Sequence, residues 1–141
     1  MSSISLERLT KSFPRAGKAV DDISLSVEAG EFVTLLGPSG CGKTTTLRLI
    51  AGFEYPDAGT VRIGSRDVTE EPPYRRPVNT VFQDYALFPH MSVERNVGYG
   101  LWVSRLPAHQ IEERVGEALK MVGLSEKALA RPSELSGGQR Q

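Results

Sequence analysis

An α/β fold that continues into a helical part is the architecture that the sequence predicts. The apolar run at residues 32–36 has the composition of a strand buried on both faces, as in a parallel sheet. A glycine-rich loop follows this run and leads into a helical pattern that begins at Lys43. Further along the chain, apolar residues recur at helical spacing. We therefore expect a mixed α/β part over residues 1–82 and a helical part over residues 83–141.

Four other segments of the mixed part have the composition of strands. Apolar and polar residues alternate in the first two, and the later two are short apolar runs beside turn residues. The predicted strands are Ile4–Phe13, which we expect at an edge of the sheet, 20–27, 60–64, which follows a predicted turn at residues 56–59, and 78–82. A turn with proline and glycine separates the first two at residues 14–17. The first helix should end at Gly52 and turn Leu47, Ile50 and Ala51 toward the core.

Two amphipathic helices are predicted in the helical part. Ser92 is a suitable N-cap for the first, whose apolar positions are Val93, Val97 and Leu101. Pro107 opens the second helix and Gly123 ends it. The apolar face of the second helix consists of Ile111, Val115, Ala118, Leu119 and Val122.

The composition excludes several classes of protein. The 141 residues contain 17 Lys and Arg and 17 Asp and Glu, whereas a dedicated nucleic-acid binder needs an excess of cations. No apolar run approaches the roughly 18 residues that a membrane span requires. The single cysteine excludes a disulfide within the chain and fits a reducing compartment. We expect a cytoplasmic protein that reaches a membrane only through a partner.

A phosphate-binding motif occupies residues 37–44, which match G-x-x-x-x-G-K-[ST]. Glycines let successive backbone N–H groups point toward one anion, and the following helix adds the positive end of its dipole. Lys43 is suited to the β- and γ-phosphates of a nucleotide, and the Thr44 hydroxyl to Mg²⁺. The candidate nucleotide-binding residues of this loop are Gly37, Pro38, Ser39, Gly40, Cys41, Gly42, Lys43 and Thr44.

Cys41 lies inside this loop and has two interpretations. It is either a reactive thiol, activated by Lys43 and the helix N-terminus, or a small filler whose backbone N–H contacts the phosphate. We favour the second interpretation. His90 is assigned a structural role, and Trp102 a place in the core or an interface. Arg75 and Arg76 could bind an anion, but between prolines they are expected on a solvated face.

A second motif, Leu135-Ser136-Gly137-Gly138-Gln139, lies near the end of the chain. A serine hydroxyl and two unobstructed glycine N–H groups at a helix start again suit an anion. Together with the phosphate-binding loop and with Gln83 after a predicted strand, this motif resembles those of the nucleotide-binding subunits of ABC transporters. The resemblance implies a P-loop NTPase fold, namely an ABC-type ATPase core with an antiparallel β subdomain and a helical subdomain.

The resemblance also implies a function for individual residues. ATP and Mg²⁺ would be the cofactors, with Lys43 and Gln83 in catalysis and with Thr44 and Gln83 at the metal. Phe13 would stack on adenine. The other nucleotide contacts that the resemblance adds are Val20, Thr45, Ser136, Gly137, Gly138 and Gln139. The last four would act on the nucleotide of a second subunit, which implies a head-to-tail homodimer around two ATP molecules.

The segment after Gln83 resembles the importer branch of the family, similar to uptake ATPases for polyamines and ferric iron. Leu87, Phe88 and Met91 form an exposed apolar set that would dock a membrane permease, which in turn works with a solute-binding protein. This implies a peripheral protein on the cytoplasmic side of the bacterial inner membrane, without a nucleic-acid partner. The transported solute cannot be read from these residues.

In the family, a Walker B aspartate, a catalytic glutamate, a D-loop and a switch histidine follow the second motif, and the chain stops before them. We therefore expect a truncated chain that binds ATP weakly and does not hydrolyse it alone. Two alternatives to an importer ATPase stay open. One is a soluble ABC-type ATPase that acts on nucleic acids or ribosomes, and the other is a non-hydrolysing nucleotide-binding or interaction module.

Overall fold

Two groups of elements make up the chain, one over Met1–Thr80 and one over Val81–Gln141. The computed structural model describes residues 3–15, 17–83 and 85–141. Ala16, in the predicted turn after the first strand, and Asp84, directly after Gln83, lie outside the described residues. In the described residues, no helix combines the length and the apolarity that a membrane span requires.

The first unit is built on an antiparallel sheet. Its strands are β1 (Ile4–Phe13), β2 (Gly17–Val27), β3 (Ala58–Ile63) and β4 (Arg66–Asp67). Their spatial order is β2-β1-β3-β4, so the first strand lies inside the sheet instead of at the predicted edge. The predicted strands at 4–13, 20–27 and 60–64 are confirmed, with bounds that shift by a few residues.

One face of this sheet carries the core of the first unit. Leu6 of β1 is opposite Leu25 of β2 and Val61 of β3, so apolar side chains of three strands meet in register. The buried residues of this core are Leu6, Leu9, Val20, Leu49, Val61, Ile63 and Val68. Helix α1 (Lys43–Ala51) joins the core through Leu49. The helix is confirmed, but Leu47 is exposed because Thr46 and Leu49, three residues apart, face inward.

Two predicted strands are wrong. Residues 32–36 and 78–82 form no strand, and Phe32 and Leu36 are 92% and 88% exposed. The apolar composition was that of a strand buried on both faces, but a strand also needs a neighbour to accept and donate its ladder hydrogen bonds. In the described part of the chain, no strand pairs with either segment.

The predicted solvated position of Arg76 is also wrong. The residue is only 5% exposed, and its guanidinium donates hydrogen bonds to four backbone carbonyl oxygens. Two of them, Leu49 at 2.6 Å and Ile50 at 3.0 Å, are among the carbonyls that α1 leaves unpaired at its C-terminus. Burial lowers the pKa of Arg76 from its ordinary value. Arg76 therefore caps the helix that the glycine-rich loop begins.

The second unit contains two helices, α2 (Val93–Val103) and α3 (Ala108–Met121), as predicted. The Ser92 hydroxyl accepts a hydrogen bond from the Arg95 N–H, which confirms the N-cap. Three short 3₁₀ turns follow α3, at Ser125–Lys127, Pro132–Glu134 and Gly138–Arg140. The core of this unit consists of Val93, Val115, Leu119 and Leu135. Val122 lies outside it and is exposed, since α3 ends at Met121.

Candidate functional site

The glycine-rich loop turns into α1 at Gly42. This residue has φ +93°, in the left-handed region that favours glycine, and it is the N-cap of the helix. A Cβ atom on Gly42 would collide with the carbonyl oxygen of Ala19 on β2. The loop therefore passes directly against the sheet, and only glycine fits at this point.

Lys43 holds the loop closed from the first position of α1. Its Nζ atom donates to the carbonyl oxygens of Gly37 and Pro38, both at 2.7 Å, and lies 3.4 Å from the Sγ atom of Cys41. The Cys41 N–H also donates to Pro38, across 3.4 Å. The cation thus lies over the loop itself, among the residues that the motif assigns to the phosphates.

The first turn of α1 is suited to an anion. Gly42 provides no side-chain cap, and the first turn contains no acidic residue. The first helical hydrogen bond is made by the Thr46 N–H, which donates to Gly42 at 2.8 Å, so the N–H groups before it have no partner within the helix. The helix dipole favours a negative charge at the same place. Thr44 is exposed and Thr45 half-buried, next to these N–H groups.

The other predicted nucleotide contacts of the first unit lie on β1 and β2. Phe13 is half-buried at the end of β1, and the Lys11 Nζ lies 5.6 Å from the centre of its ring. Val20 is buried in the core, and a Cβ on Gly42 would lie 3.5 Å from its Cγ2 atom. Val20 therefore supports the loop at Gly42, and its predicted contact with a nucleotide stays a prediction.

The remaining site residues belong to the second unit. Gln83 is exposed and lines an open cavity of about 610 Å³ together with Leu87, Ser133 and Gly137. The predicted Gln83 and part of the second motif thus share one concave surface.

Leu87, Phe88 and Met91, predicted as an exposed apolar set, are each half-buried. The Phe88 ring packs 4.6 Å from that of Tyr99 on α2, which covers part of it. Asn96 fastens the same segment: its Oδ1 accepts from the Phe88 N–H at 2.8 Å, and its Nδ2 donates to the carbonyls of Phe88 and Ser92. His90 is exposed and makes an edge contact with Phe88, which is consistent with a structural role.

The second motif forms a small reciprocal cap at its own 3₁₀ turn. The Ser136 N–H donates to the Gln139 Oε1 at 2.9 Å, and the Gln139 N–H donates to the Ser136 Oγ at 3.3 Å. Leu135 is buried and attaches the motif to the core of α2 and α3. Gly137 and Gly138 are exposed, as an anion-binding surface requires.

Two residues to which the sequence assigned no role, Asn96 and Asp57, contribute to these sites, and Arg76 contributes in a role that the sequence did not predict. The Asp57 carboxylate accepts from the Ser12 N–H at 2.7 Å and from the Lys11 Nζ at 3.2 Å. These contacts hold the pKa of Asp57 below its ordinary value, and the hydrogen bond from the Ser12 N–H contributes more than that from the Lys11 ammonium. The only sequence signal for Asp57 was a turn after Pro56, and its partners lie some 45 positions earlier.

The family model described as ABC transporter matches residues 20–141. Two spermidine/putrescine import ATP-binding proteins named PotA are similar to the chain. The one from Marinobacter nauticus is 56% identical over 98% of the chain, and the one from Thermobifida fusca is 54% identical over 99%. The chain spans 37% of the length of each of these relatives.

A solved structure is also similar, with a TM-score of 0.80 and 28% identity over 97% of the chain and 65% of its own length. It is the dimeric structure of a post-hydrolysis state of the ATP-binding cassette MJ0796 bound to ADP and Pi.

Proposed function

The chain belongs to the ABC transporter family, as one of its ATP-binding domains, and from this premise we propose that it is part of the subunit that powers import of a small solute. The subunit would bind and hydrolyse ATP in a head-to-tail dimer. The observation that carries the proposal is the identity of 56% with an import ATP-binding protein along 98% of the chain.

ATP would bind at the loop over residues 37–44. The N–H groups at the start of α1 would donate to phosphate oxygens, and Lys43 would exchange its bonds to Gly37 and Pro38 for bonds to the β- and γ-phosphates. The closed, carboxylate-free shape of the loop fits a polyanion. Phe13 would stack on the base, at the end of the strand that borders β2.

Mg²⁺ would be held by the exposed Thr44 hydroxyl and by Gln83, since both offer the hard oxygen atoms that this ion prefers. It would supply charge neutralisation to the phosphates. Gln83 would in addition orient the attacking water.

The second motif would act on the nucleotide of the partner subunit through Ser136, Gly137, Gly138 and Gln139. The Ser136 Oγ accepts from the Gln139 N–H, so its own O–H proton stays available as a donor to a phosphate oxygen. The reciprocal bond from Ser136 N–H to Gln139 keeps this hydroxyl in place. The two glycines add N–H groups without side chains in the way.

We place the protein on the cytoplasmic side of the bacterial inner membrane, peripheral to a permease that receives the solute from a binding protein. Leu87, Phe88 and Met91 would contribute to the docking surface. The relatives are named for spermidine and putrescine import, and a polyamine is accordingly the solute class that we propose.

The nucleotide part of the proposal is tested by Mg·ATP affinity in Lys43→Ala. We expect at least a ten-fold loss, because the variant removes the cation that faces the phosphates. Lys18→Ala is the matched control, since Lys18 pairs with Asp21 on the exposed part of β2. An unchanged affinity in Lys43→Ala would contradict the proposal.

The import part is tested in cells that lack polyamine uptake and receive the complete protein with its permease. Labelled spermidine should enter with the unaltered protein and with Lys18→Ala, and uptake should be lost with Lys43→Ala. Uptake of another solute class would retain the ATPase proposal and overturn the polyamine assignment.

A further inference from the structure

The end of strand β1 is held by a carboxylate from outside the strand. Asp57 directly precedes β3, and its N–H donates to the Thr10 carbonyl at 2.8 Å where β3 begins to pair with β1. Its two carboxylate oxygens reach the next two residues of β1, the Lys11 Nζ at 3.2 Å and the Ser12 N–H at 2.7 Å. The carboxylate therefore fixes both the backbone and a side chain just before Phe13.

Lys11 is buried to an extent that is unusual for a surface lysine. Its side chain is 16% exposed, whereas both partners of the other ion pairs on β1 and β2, Arg8–Asp22 and Lys18–Asp21, are mostly exposed. Lys11 and Phe13 are two residues apart on β1, the spacing at which side chains of a strand share one side. The ammonium consequently lies 5.6 Å from the centre of the Phe13 ring, within the range of a cation–π contact.

We propose that Asp57 and Lys11 are positioning residues for base recognition: Asp57 holds the Lys11 ammonium against one face of the Phe13 ring, so that the other face stacks on the nucleobase. The proposal rests on the function proposed above, in which Phe13 contacts the base. A cation on one face draws π-electron density toward itself. The opposite face becomes less negative, which reduces its repulsion of the π-electrons of a stacked purine.

This arrangement predicts that base affinity and phosphate affinity respond to different residues. The phosphates are bound at the loop of residues 37–44, which Asp57 does not contact through any hydrogen bond in the described residues. Removing the carboxylate charge should therefore weaken ATP binding and leave the binding of inorganic tripolyphosphate unchanged. If Asp57 had only a structural role, its substitution would weaken the binding of ATP and of tripolyphosphate together.

Asp57→Asn is the most selective variant. The amide oxygen still accepts from the Ser12 N–H, so the backbone contact is retained while the ionic contact with Lys11 is lost. Asp22→Asn is the matched control, because it breaks the exposed Arg8–Asp22 pair on the same sheet with the same change in net charge. Both variants make the protein less negative, which by itself favours anion binding.

The experiment is an NMR titration of the ¹⁵N-labelled 141-residue chain with Mg·ATP and, separately, with Mg·tripolyphosphate. We expect Asp57→Asn to raise the dissociation constant for ATP about two- to five-fold, the equivalent of an exposed cation–π contact, and not that for tripolyphosphate. Asp22→Asn should change neither, and Lys43→Ala should weaken both. Lys11→Met removes the other member of the ion pair and should likewise weaken ATP but not tripolyphosphate. If Asp57→Asn fails to fold, Lys11→Met alone tests the inference.

The possible failures are distinguishable. If ATP binds and both Asp57→Asn and Lys11→Met leave its affinity unchanged, or weaken tripolyphosphate equally, the inference is overturned and the proposed function stands. If neither ligand shifts the loop amides of the unaltered chain, the proposed function fails and the inference fails with it.

Discussion

The ammonium group of Lys43 donates a 2.7 Å hydrogen bond to the carbonyl oxygen of Gly37. With Pro38 and Cys41, this contact engages all three N–H donors of the lysine inside its own loop. Because Lys43 also begins α1, one residue closes the loop and starts the helix. The loop is therefore held in a closed shape by the same cation that we expect to contact the phosphates.

The close approach of the loop to the sheet predicts a large effect of Gly42→Ala. The new Cβ would meet the Ala19 carbonyl oxygen and would have to keep φ +93°. We expect a loss of more than about 2 kcal/mol in the free energy of unfolding, the left-handed backbone accounting for about 1–2 kcal/mol of it. Urea denaturation of the variant measures this loss.

Gly40→Ala is the control for that prediction. Gly40 also has a positive φ, +81°, but a Cβ there would meet no atom within 4 Å. It should cost only the backbone contribution of about 1–2 kcal/mol. Equal losses in the two variants would show that contact with β2 does not constrain the loop.

The four hydrogen bonds of Arg76 predict that it contributes strongly to stability. Arg76→Met would leave buried carbonyls at the end of α1 without a donor, at a cost of about 3 kcal/mol or more. Arg75→Met, next to it, removes a cation that lies over the exposed ring of Tyr74 and should cost less than about 0.5 kcal/mol. Thermal unfolding of both variants compares them, and similar melting temperatures would contradict the assigned cap.

The lowered pKa of Asp57 predicts how the stability of the first unit depends on pH. Its pKa is lowered below the ordinary value of 3.8, so the stability it contributes is fully present above pH 3.8 and is lost as the pH falls through the folded-state pKa. The side-chain carboxyl ¹³C signal of Asp57 should therefore titrate below pH 3.8, and the Ser12 amide signal should move with it. A midpoint at or above pH 3.8 would mean that the contacts with Ser12 and Lys11 do not stabilise the ionised form.

The hydrogen bonds of Asn96 to Phe88 and Ser92 predict that its substitution destabilises the segment after Gln83 locally. In Asn96→Asp, the carboxylate has no N–H to donate, so the carbonyls of Phe88 and Ser92 lose the side-chain bond and keep only the backbone bonds from Met91 and Asn96. The Phe88 N–H keeps an oxygen acceptor, whereas the Met91 N–H donates to the carbonyl that loses its side-chain donor, so we expect hydrogen exchange to accelerate about ten-fold at the Met91 amide, with little change in α3. Gln110→Glu makes the same change of side chain on α3 and should leave the Met91 amide unaffected. Uniform acceleration across the second unit would indicate general destabilisation instead of a local clamp.

Local patterns in the sequence predicted the elements that are determined locally. The bounds of β1 follow from its alternation, the start of α1 from the glycine-rich loop, and the start of α2 from the Ser92 cap. Each of these signals acts within a few residues. The composition of residues 32–36 also predicted burial, but burial of a strand depends on neighbours that the pattern does not contain.

The contacts that sequence reasoning missed join residues far apart in the chain. Arg76 reaches Leu49 across 27 positions, and Asp57 reaches Lys11 across 46. The sequence around Arg76, an arginine between prolines, and around Asp57, an aspartate in a turn, is equally typical of solvated residues. Only the packing of β3 on β1, and of α1 on the sheet, brings these groups to their partners.

The central claim, that the loop over residues 37–44 binds the triphosphate of ATP, is tested most directly by where Mg·ATP shifts the amide signals of the ¹⁵N-labelled chain. We expect the largest shifts at Gly40, Gly42, Lys43 and Thr44, around the loop and the start of α1, and their loss in Lys43→Ala. Shifts confined to other parts of the chain, or shifts that persist in Lys43→Ala, would contradict the claim.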